Sequence, residues 1–275
     1  MELTLIQNTA RWSLAEDVGS GDITAELIPE NYLAKASIIS REDAIICGIP
    51  WVEAVYKYVD PDLKIYWKVK DGEAISSGQT LAELVGKARA LVTGERAILN
   101  WLQTLSGTAT EVKRYVEKLK GTTTQLLDTR KTLPGLRYAQ KYAVLCGGGS
   151  NHRMGLYDAY LIKENHIISC GSITKAIQKA RNHHPDKPLE VEVENINEFN
   201  EALNANAGII LLDNFDINEI KKAVVINQGR AELEISGNIN LENIREIAET
   251  GVNFISVGAL TKHIQAIDLS MRIFI

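Results

Sequence analysis

Cysteine is scarce in this sequence, and its few copies follow no pattern. The three residues Cys47, Cys146 and Cys170 form neither an even set nor a CxxC pair. A disulfide framework uses an even set and a structural zinc site uses closely spaced pairs, so the sequence indicates neither. This usage is typical of a reducing compartment, and we expect buried thiols.

A targeting segment and long hydrophobic runs are also missing. The chain starts MELTLIQNTARWSLAED, which has no basic segment followed by an apolar core, and it nowhere holds the roughly 18 uninterrupted apolar residues of a membrane span. It has no low-complexity segment and no internal sequence repeat. These absences predict a cytoplasmic protein that has no membrane partner.

An excess of positive charge is missing too. The 275 residues include 30 lysines and arginines against 35 aspartates and glutamates, a formal net charge of -5, and there is no basic tail. Proteins that bind nucleic acids need basic surfaces to neutralise phosphates, so this balance argues against a nucleic-acid partner. With 45% hydrophobic and 24% charged residues, the composition is ordinary for a globular protein, long enough for one large α/β barrel or two smaller domains.

What the sequence does contain is a local cluster of cationic side chains. Residues 128–166 read DTRKTLPGLRYAQKYAVLCGGGSNHRMGLYDAYLIKENH. Around glycine-rich turns, this segment gathers Arg130, Lys131, Arg137, Lys141, His152, Arg153, Lys163 and His166. The cluster suits a small ligand with several negative groups, because guanidinium and ammonium groups bind carboxylates and phosphates. For any one of these residues alone, the alternative is a solvated surface charge.

Two parts of this cluster follow predicted strands. Arg130 and Lys131 come after the segment 125–128, and Lys163 comes directly after the segment 159–162. Both segments are typical of strands, with a helical pattern over 135–145 between them. Because the carboxyl ends of parallel strands lie on one face of an α/β fold, we expect these cations to converge there.

The pattern of predicted elements differs between the two parts of the chain. In the first part, up to about residue 105, an opening helix is followed by short strands at 34–40 and 63–69, which is typical of a small α/β sandwich. The segment 93–105 predicts an amphipathic helix with Thr93 as its N-cap.

From residue 122 onward, predicted strands and helices alternate. The strands are centred on Leu126, Leu161, Val191, Leu211, Leu233 and Ile255. They predict six βα units, fewer than the eight of a complete barrel, so we expect an incomplete barrel.

Acidic side chains lie near the ends of two of these strands. In the segment EVEVEN, Glu190, Glu192 and Glu194 are expected on one face because strand side chains alternate, and Asp213 ends the next strand. Carboxylates at such strand ends can hold Mg²⁺ bridged to a pyrophosphate, directly or through water. The alternative is an ordinary ladder of acids paired with nearby lysine or arginine.

Small residues follow the last two predicted strands. Ser236-Gly237-Asn238 and Val257-Gly258-Ala259 lie where a strand is expected to give way to a helix. Backbone N–H groups there can point at a phosphate, aided by the positive end of the helix. The alternative is that glycine only satisfies the backbone geometry of the turn.

The order of these motifs resembles one enzyme family. DTRKTLPGLR, GGGSNHRMGLYDAYLIKENH, EVEVEN, LLDNF, EISGNI and ISVGALTKH occur in the order and approximate spacing of the quinolinate phosphoribosyltransferases. The similarity runs from EDVGSGDIT at Glu16 to DLSMR at Asp268. It implies an N-terminal mixed α/β sandwich domain, 1–107 joined by the C-terminal segment 265–275, and an open α/β barrel of about seven strands over 108–264. The six predicted strands leave one family strand unassigned.

The resemblance also implies a reaction. The phosphoribosyl group of 5-phosphoribosyl 1-pyrophosphate is transferred to the ring nitrogen of quinolinate with decarboxylation, giving nicotinate mononucleotide, pyrophosphate and carbon dioxide for NAD biosynthesis. Mg²⁺ is the implied cofactor, and a homodimer or larger assembly is implied. Because the transition state gains oxocarbenium character, useful groups are anions near the ribose and cations on the departing pyrophosphate.

Site residues are implied by their positions in the family motifs. Quinolinate is expected to contact Arg130, His152, Arg153, Lys163 and, from the neighbouring subunit, Arg96. The 5-phosphate is expected to contact Ser236, Gly237, Asn238 and Gly258. The expected catalytic residues are Lys131, which contacts phosphoribosyl pyrophosphate, and Glu192 and Asp213, which hold the ribose hydroxyls and the metal, directly or through water.

Three alternatives are weighed against this interpretation. A phosphoribosyltransferase for another aromatic base is disfavoured because NHR and LIKENH, needed for two carboxylates, are both present. A binding protein without turnover would have lost the acids or the phosphate loop. A sugar-phosphate aldolase would need a Schiff-base lysine, for which Lys163 is a formal candidate, and borohydride trapping would distinguish it.

Overall fold

The structure, a computed structural model, describes residues 2–274. Its contacts divide the chain into two units. Unit 1 contains Met1–Lys113, Thr132–Gly148 and Leu260–Ile275, and unit 2 contains Arg114–Lys131 and Gly149–Ala259. The domain boundaries expected from the sequence, at 107 and 264, stay a prediction that limited proteolysis would test.

Unit 1 combines helices with antiparallel strands. Its helices are α1 (Glu2–Val18), α2 (Ile49–Val59), most of α3 (Ala88–Lys118) and α4 (Arg137–Cys146), with a 3-10 turn at Ala25–Leu27. Its strands are β1 (Leu33–Ser40), β2 (Ala44–Ile45), β3 (Lys64–Trp67), β4 (Ala74–Ile75), β5 (Thr80–Lys87) and β12 (Leu269–Phe274).

Four of these strands form a sheet in the order β12-β1-β5-β3. Alternating burial explains why β1 is a strand, because Ala34 and Ala36 point into the core while Leu33 and Lys35 are exposed. Strand β12 pairs antiparallel with β1, and Phe274 lies opposite Lys35. The C-terminal segment therefore completes the sheet that the N-terminal region begins.

Helix α3 is much longer than the sequence predicts. It spans 31 residues, so the predicted boundaries at 93 and 105 are wrong at both ends. Thr93 is not an N-cap but lies inside the helix, where its hydroxyl donates a 2.9 Å hydrogen bond to Asp22. Buried Leu91, Ala109 and Val112 extend the apolar face on both sides of the predicted segment, which stabilises the longer helix.

Unit 2 alternates strands and helices. Its strands are β6 (Gln125–Leu127), β7 (Tyr160–Ile162), β8 (Leu189–Val193), β9 (Ile209–Asp213), β10 (Glu232–Ser236) and β11 (Phe254–Ser256). Its helices are α5 (Glu164–Cys170), α6 (Ile173–His183), α7 (Ile196–Asn204), α8 (Ile217–Asn227) and α9 (Ile244–Ala248), and α10 (Ala259–Lys262) begins at the last residue of the unit.

The six strands of unit 2 form one parallel sheet in the order β6-β11-β10-β9-β8-β7. Beyond β6, Leu127 makes one further parallel bridge, to Ser150. No ladder joins β7 to β6 among the described residues, so the sheet is open. The expected α/β fold with a parallel-sheet domain is confirmed. The expected count of about seven barrel strands is not confirmed, since one bridge is too short to form a strand.

The two faces of this sheet carry different side chains. Along β8, Val191 and Val193 are buried on one face, while Glu190 and Glu192 point to the other. The strand ends at Val193, so the exposed Glu194 lies in the turn before α7 and not on the same face as expected. In the described part of the chain, no helix is both long enough and apolar enough to cross a membrane.

Candidate active site

The carboxyl ends of the unit 2 strands surround a cavity of about 150 Å³. The segment after β6, the residue after β7, and strand β8 all reach it, because a parallel sheet places these ends together. The lining residues are Thr129, Arg130, Lys131, His152, Arg153, Leu161, Lys163, Glu192, Leu211, Glu234, Ser236 and Ser256. The structure thus brings together the cationic residues that the sequence places at strand ends.

Positive charge is concentrated in the walls of this cavity. Arg130, Lys131, Arg153 and Lys163 all line it. Burial, and next the charge of Arg130, lower the pKa of Arg153, because both disfavour another positive charge at this place. A guanidinium group nevertheless remains protonated, so an anionic ligand would relieve the repulsion between the two arginines.

Lys163 and Glu192 form an ion pair across neighbouring strands. Leu161 pairs with Glu190 and Ile162 with Val191 in the β7–β8 ladder, which brings Lys163 level with Glu192. The Lys163 Nζ bonds to the Glu192 carboxylate, whose side chain is only 12% exposed. The family resemblance implies separate roles for these residues, whereas here each compensates the charge of the other.

The loop that carries Arg153 is held by the Asp158 carboxylate. Its oxygens accept the N–H groups of Met154 at 2.6 Å and Gly155 at 3.0 Å. The Arg153 guanidinium itself makes one hydrogen bond among the described residues, from Nη1 to the Ala159 carbonyl at 3.3 Å. Most of its donors therefore stay available for a ligand.

His152 uses both ring nitrogens within the protein. Its Nδ1 accepts the backbone N–H of Arg153 at 2.7 Å, which places the ring proton on Nε2. Nε2 lies 2.8 Å from a Glu190 oxygen and 3.6 Å from a Glu234 oxygen. The backbone N–H of His152 also donates to Asp128 at 2.9 Å. The structure brings His152 to the cavity wall, but its expected contact with quinolinate stays a prediction.

Glu190 and Glu234 form a buried acid pair behind His152. Their exposed fractions are 5% and 1%. Burial, and next the charge of Glu190, raise the pKa of Glu234 to about 8. Neither Glu190 Oε1 nor Glu234 Oε1 has a donor among the described residues. A protonated Glu234 carboxyl group can donate to Glu190.

The sequence alone does not predict that these two acids form a pair. Glu190 is noticed only as one of three acids in EVEVEN, and Glu234 is not singled out. The signal that could have found Glu234 is the segment ELEIS, where acids alternate with Leu233 and Ile235 as they do in LEVEV. An acid between two core positions of a strand faces the interior of an α/β domain.

The ends of β9 and β10 are tied together through Asn214. Asp213 lies opposite Ser236 in the ladder, and the Asn214 N–H donates to the Ser236 carbonyl at 3.1 Å. The Asn214 amide also donates to Asp213 at 2.9 Å. A Cβ on Gly237 would lie 2.2 Å from Asn214 Oδ1, and the φ of Gly237 is +97°, so only glycine fits. Asn238 follows at a φ of 53°.

The helix that follows the 236–238 turn does not begin at the turn itself. Helix α9 begins only at Ile244, so the positive end of a helix does not follow the 236–238 turn. Gly258, in contrast, leads directly into α10. A Cβ on Gly258 would lie 2.9 Å from Cδ of Lys131, which shows that this side chain passes close to the 257–259 turn.

Family comparisons cover both parts of the chain. Residues 22–106 match the family described as Quinolinate phosphoribosyl transferase, N-terminal domain. Residues 108–272 match Quinolinate phosphoribosyl transferase, C-terminal domain. The chain belongs to the quinolinate phosphoribosyl transferase family.

Similarity to individual proteins supports this family membership. The chain is 39% identical over 261 residues to a probable nicotinate-nucleotide pyrophosphorylase (carboxylating) of Bacillus subtilis, which covers 94% of this chain and 90% of that protein. It is also 39% identical to the chloroplastic nicotinate-nucleotide pyrophosphorylase (carboxylating) of Arabidopsis thaliana, covering 95% and 80%. The structure of the nicotinate-nucleotide pyrophosphorylase from Francisella tularensis superposes with a TM-score of 0.96 at 49% identity, covering 99% of this chain and 97% of that one.

One residue that the quinolinate phosphoribosyl transferase resemblance places in the site belongs to unit 1. Arg96 is exposed on α3. Its expected entry into the site of a neighbouring subunit stays a prediction.

Proposed function

We propose that this chain is a decarboxylating quinolinate phosphoribosyltransferase. It transfers the phosphoribosyl group of 5-phosphoribosyl 1-pyrophosphate to quinolinate and releases pyrophosphate and carbon dioxide, giving nicotinate mononucleotide for NAD biosynthesis. Membership of the family and the names of its relatives support the reaction. The observation that carries the proposal is the cavity of about 150 Å³ whose walls contain two arginines and two lysines.

Quinolinate binding follows from the shape and charge of the cationic groups. Arg130 and Arg153 offer planar forks that can each hold a ring carboxylate through two hydrogen bonds, and Lys163 adds a point charge. Because the guanidinium of Arg153 makes only one long hydrogen bond within the described protein, a carboxylate can take its remaining donors. A ligand with two carboxylates therefore satisfies more of these groups than a ligand with one.

The other substrate fits the neighbouring strand ends. Glu192 and Asp213 place carboxylates near the end of β8 and at the end of β9, where anions stabilise positive charge that develops at the ribose. Lys131, which passes close to Gly258, supplies a cation for the departing pyrophosphate. Ser236, Gly237 and Asn238, together with Gly258, are proposed for the 5-phosphate.

Mg²⁺ is the proposed cofactor, and the acids at these strand ends fit it. Mg²⁺ prefers carboxylate oxygens and keeps several waters, which suits Glu192 and Asp213 as direct or water-mediated ligands. Since Lys163 pairs with Glu192, a direct bond to the ion requires that this lysine turn to the substrate. The bound ion would neutralise charge on the leaving pyrophosphate.

Decarboxylation needs little acid–base chemistry from the protein. After transfer, the ring nitrogen is quaternary, so its positive charge stabilises the electron pair that the departing carboxylate leaves at C2, and a proton from solvent then binds at C2 to give nicotinate mononucleotide. The contribution of Arg130 and Arg153 is then to orient the ring. No residue is proposed as a general base.

We also propose a homodimer or larger assembly in the cytoplasm. In it, Arg96 of one subunit contributes to the quinolinate site of its partner. Such a shared site makes assembly necessary for activity.

The direct test is an assay of the purified protein with quinolinate carrying a labelled 2-carboxylate, phosphoribosyl pyrophosphate and Mg²⁺. We expect nicotinate mononucleotide and labelled carbon dioxide in equal amounts. Lys187→Ala, which changes an exposed lysine of unit 2 that does not line the cavity, serves as the control. Folded protein that forms no product at saturating substrates contradicts the proposal. Borohydride trapping of a carbonyl substrate on Lys163 would favour the aldolase instead.

A further inference from the structure

Arg153 is held from behind by a chain of hydrogen bonds that ends at two buried acids. Its N–H donates to Nδ1 of His152 at 2.7 Å, and Nε2 of His152 lies 2.8 Å from Glu190, which adjoins Glu234. We propose that Glu190 and Glu234 are positioning residues for quinolinate binding, because they fix the ring of His152 and His152 fixes the main chain that carries Arg153. The inference rests on the proposed function and adds two residues to its machinery.

The His152 ring has one orientation in this arrangement. Nδ1 must lack a proton to accept from Arg153, and Nε2 must carry one to donate to Glu190. Removing the Glu190 carboxylate leaves the Nε2–H without its acceptor at 2.8 Å, so the ring can rotate or change tautomer. Either change breaks the hydrogen bond to the Arg153 backbone.

Main-chain placement matters for Arg153 because its side chain is weakly restrained. Among the described residues, the guanidinium makes one hydrogen bond, at 3.3 Å to Ala159. The direction from which it reaches the cavity is therefore set by its backbone. A displacement of this backbone weakens a two-point contact with a carboxylate more than it weakens binding of the other substrate.

The buried pair allows a test with glutamine at position 190. His152 donates to Glu190, and Glu190 and Glu234 each have one oxygen without a donor among the described residues. A glutamine at position 190 reproduces this arrangement, because its amide NH₂ can donate to Glu234 while its carbonyl accepts from His152. Leucine at the same position cannot. Rescue by glutamine therefore reports the hydrogen-bond chain and not the volume of the side chain.

A bound cation is the competing explanation for this cluster. One ligand atom each from His152, Glu190 and Glu234 lies within 4.8 Å of the others. A metal ion would require both carboxylates in their ionised form, and a glutamine at position 190 would weaken its binding. The hydrogen-bond chain and the metal therefore predict opposite effects of Glu190→Gln.

The experiment compares Glu190→Leu, Glu190→Gln, the double variant Glu190→Leu/Glu234→Leu, and the control Glu232→Leu, an exposed acid on the same strand as Glu234. In Glu190→Leu we expect the KM for quinolinate to rise on the order of 10- to 100-fold. The KM for phosphoribosyl pyrophosphate stays at its wild-type value. Glu190→Gln should restore most of the quinolinate affinity. The double variant also removes Glu234, the other carboxylate near Nε2, and should show at least the same quinolinate defect. Urea unfolding of each variant separates a binding defect from a loss of stability.

A second measurement does not depend on turnover. Nitrogen-15 NMR of the unliganded wild type should show His152 protonated at Nε2 and unprotonated at Nδ1, and Glu190→Leu should lose this signature. If wild type shows the signature but converts no quinolinate, the proposed function fails and the positioning chain stands. Protonation of His152 at Nδ1 in wild type overturns the inference, as does an unchanged KM for quinolinate in Glu190→Leu. If Mg²⁺, Mn²⁺ or Zn²⁺ stabilises the wild-type protein against unfolding and Glu190→Gln abolishes this effect, the cluster is a metal site and the positioning role is wrong.

Discussion

Lys163, which directly follows β7, and Glu192 in β8 neutralise each other. The lysine is proposed to bind a quinolinate carboxylate, and the acid is proposed to act at the ribose. Under this proposal, a quinolinate carboxylate that pairs with Lys163 separates Glu192 from its cation.

Glu192→Gln should lower turnover without weakening quinolinate binding. The substitution removes the negative charge near the ribose and also removes the competitor for Lys163. We expect kcat to fall on the order of 100-fold, as when a group that stabilises transition-state charge is lost. Calorimetry should give a quinolinate Kd equal to or below that of wild type. Asp213 does not pair with Lys163, so Asp213→Asn should lower kcat and leave the Kd for quinolinate unchanged. Normal turnover of both variants at saturating Mg²⁺ would make these acids structural.

Quinolinate should be strongly preferred over nicotinate. Nicotinate lacks the 2-carboxylate, so it would leave part of the cationic wall formed by Arg130, Arg153 and Lys163 without a counter-charge. The expected penalty is about 1 to 3 kcal/mol or more in kcat/KM. Competition between the two acids for one limiting pool of phosphoribosyl pyrophosphate would measure it. Equal efficiency on both acids would contradict the proposed binding site.

Arg153→Lys should impair quinolinate use although it keeps the positive charge. Lysine cannot form the planar two-point contact of a guanidinium with a carboxylate. We expect a rise of at least about 10-fold in the KM for quinolinate, with little change in the KM for phosphoribosyl pyrophosphate. Arg181→Lys, an exchange on the surface of α6, is the matched control. A variant with wild-type quinolinate affinity would show that Arg153 does not contact the substrate.

The convergence of cations could be predicted because its signals are local. Each strand of unit 2 is a short apolar run followed by a turn, and the parallel-sheet rule places residues such as Arg130 and Lys163 at one edge. Glu190 and Glu234 differ, because they come from β8 and β10, and β9 lies between these strands. Only the three-dimensional arrangement shows that the two acids and His152 meet.

Element boundaries could be predicted less well than element types. Thr93 has a high preference for the N-cap position, but the apolar face of α3 continues past it to buried Leu91, and packing outweighs this preference. The seventh strand of the family had no sequence signal. In the structure, Leu127 makes a single bridge to Ser150 beyond β6, which is too short to produce a period-two pattern.

The stability of the protein should fall as the pH rises between about 5 and 8. The pKa of Glu234 is raised from 4.5 to about 8 in the folded state, so the folded protein keeps a proton that the unfolded chain releases above 4.5. The stabilisation is complete below the unfolded pKa and is lost as the pH rises through the folded one, by at most about 1.4 kcal/mol per pH unit. Urea unfolding at a series of pH values should show this slope in wild type. Glu234→Gln should reduce it, and Glu232→Gln should not. An equal slope in all three proteins would show that Glu234 is ionised in the folded state at neutral pH.

Arg96 provides a test of the shared site by subunit mixing. If Arg96 acts in the partner's site, each site of a dimer takes Arg96 from one chain and Arg153 from the other. Arg96→Ala and Arg153→Ala homodimers should both be inactive, because every site lacks one of the two arginines. In a heterodimer of the two variants, both defects fall in one site and the other site is intact.

The expected recovery can be calculated. Random pairing of equal amounts gives heterodimers as about half of all dimers, and each has one working site of two, so refolding the variants together should restore about a quarter of wild-type activity. Arg89→Ala mixed with Arg153→Ala is the control, since Arg89 also lies on α3 but bonds to the Ile28 carbonyl. There the Arg89→Ala chain should be active alone, and mixing should add nothing beyond the average of the two homodimers. If mass spectrometry confirms heterodimers of Arg96→Ala with Arg153→Ala and no activity returns, Arg96 acts within its own chain or has no part in the site.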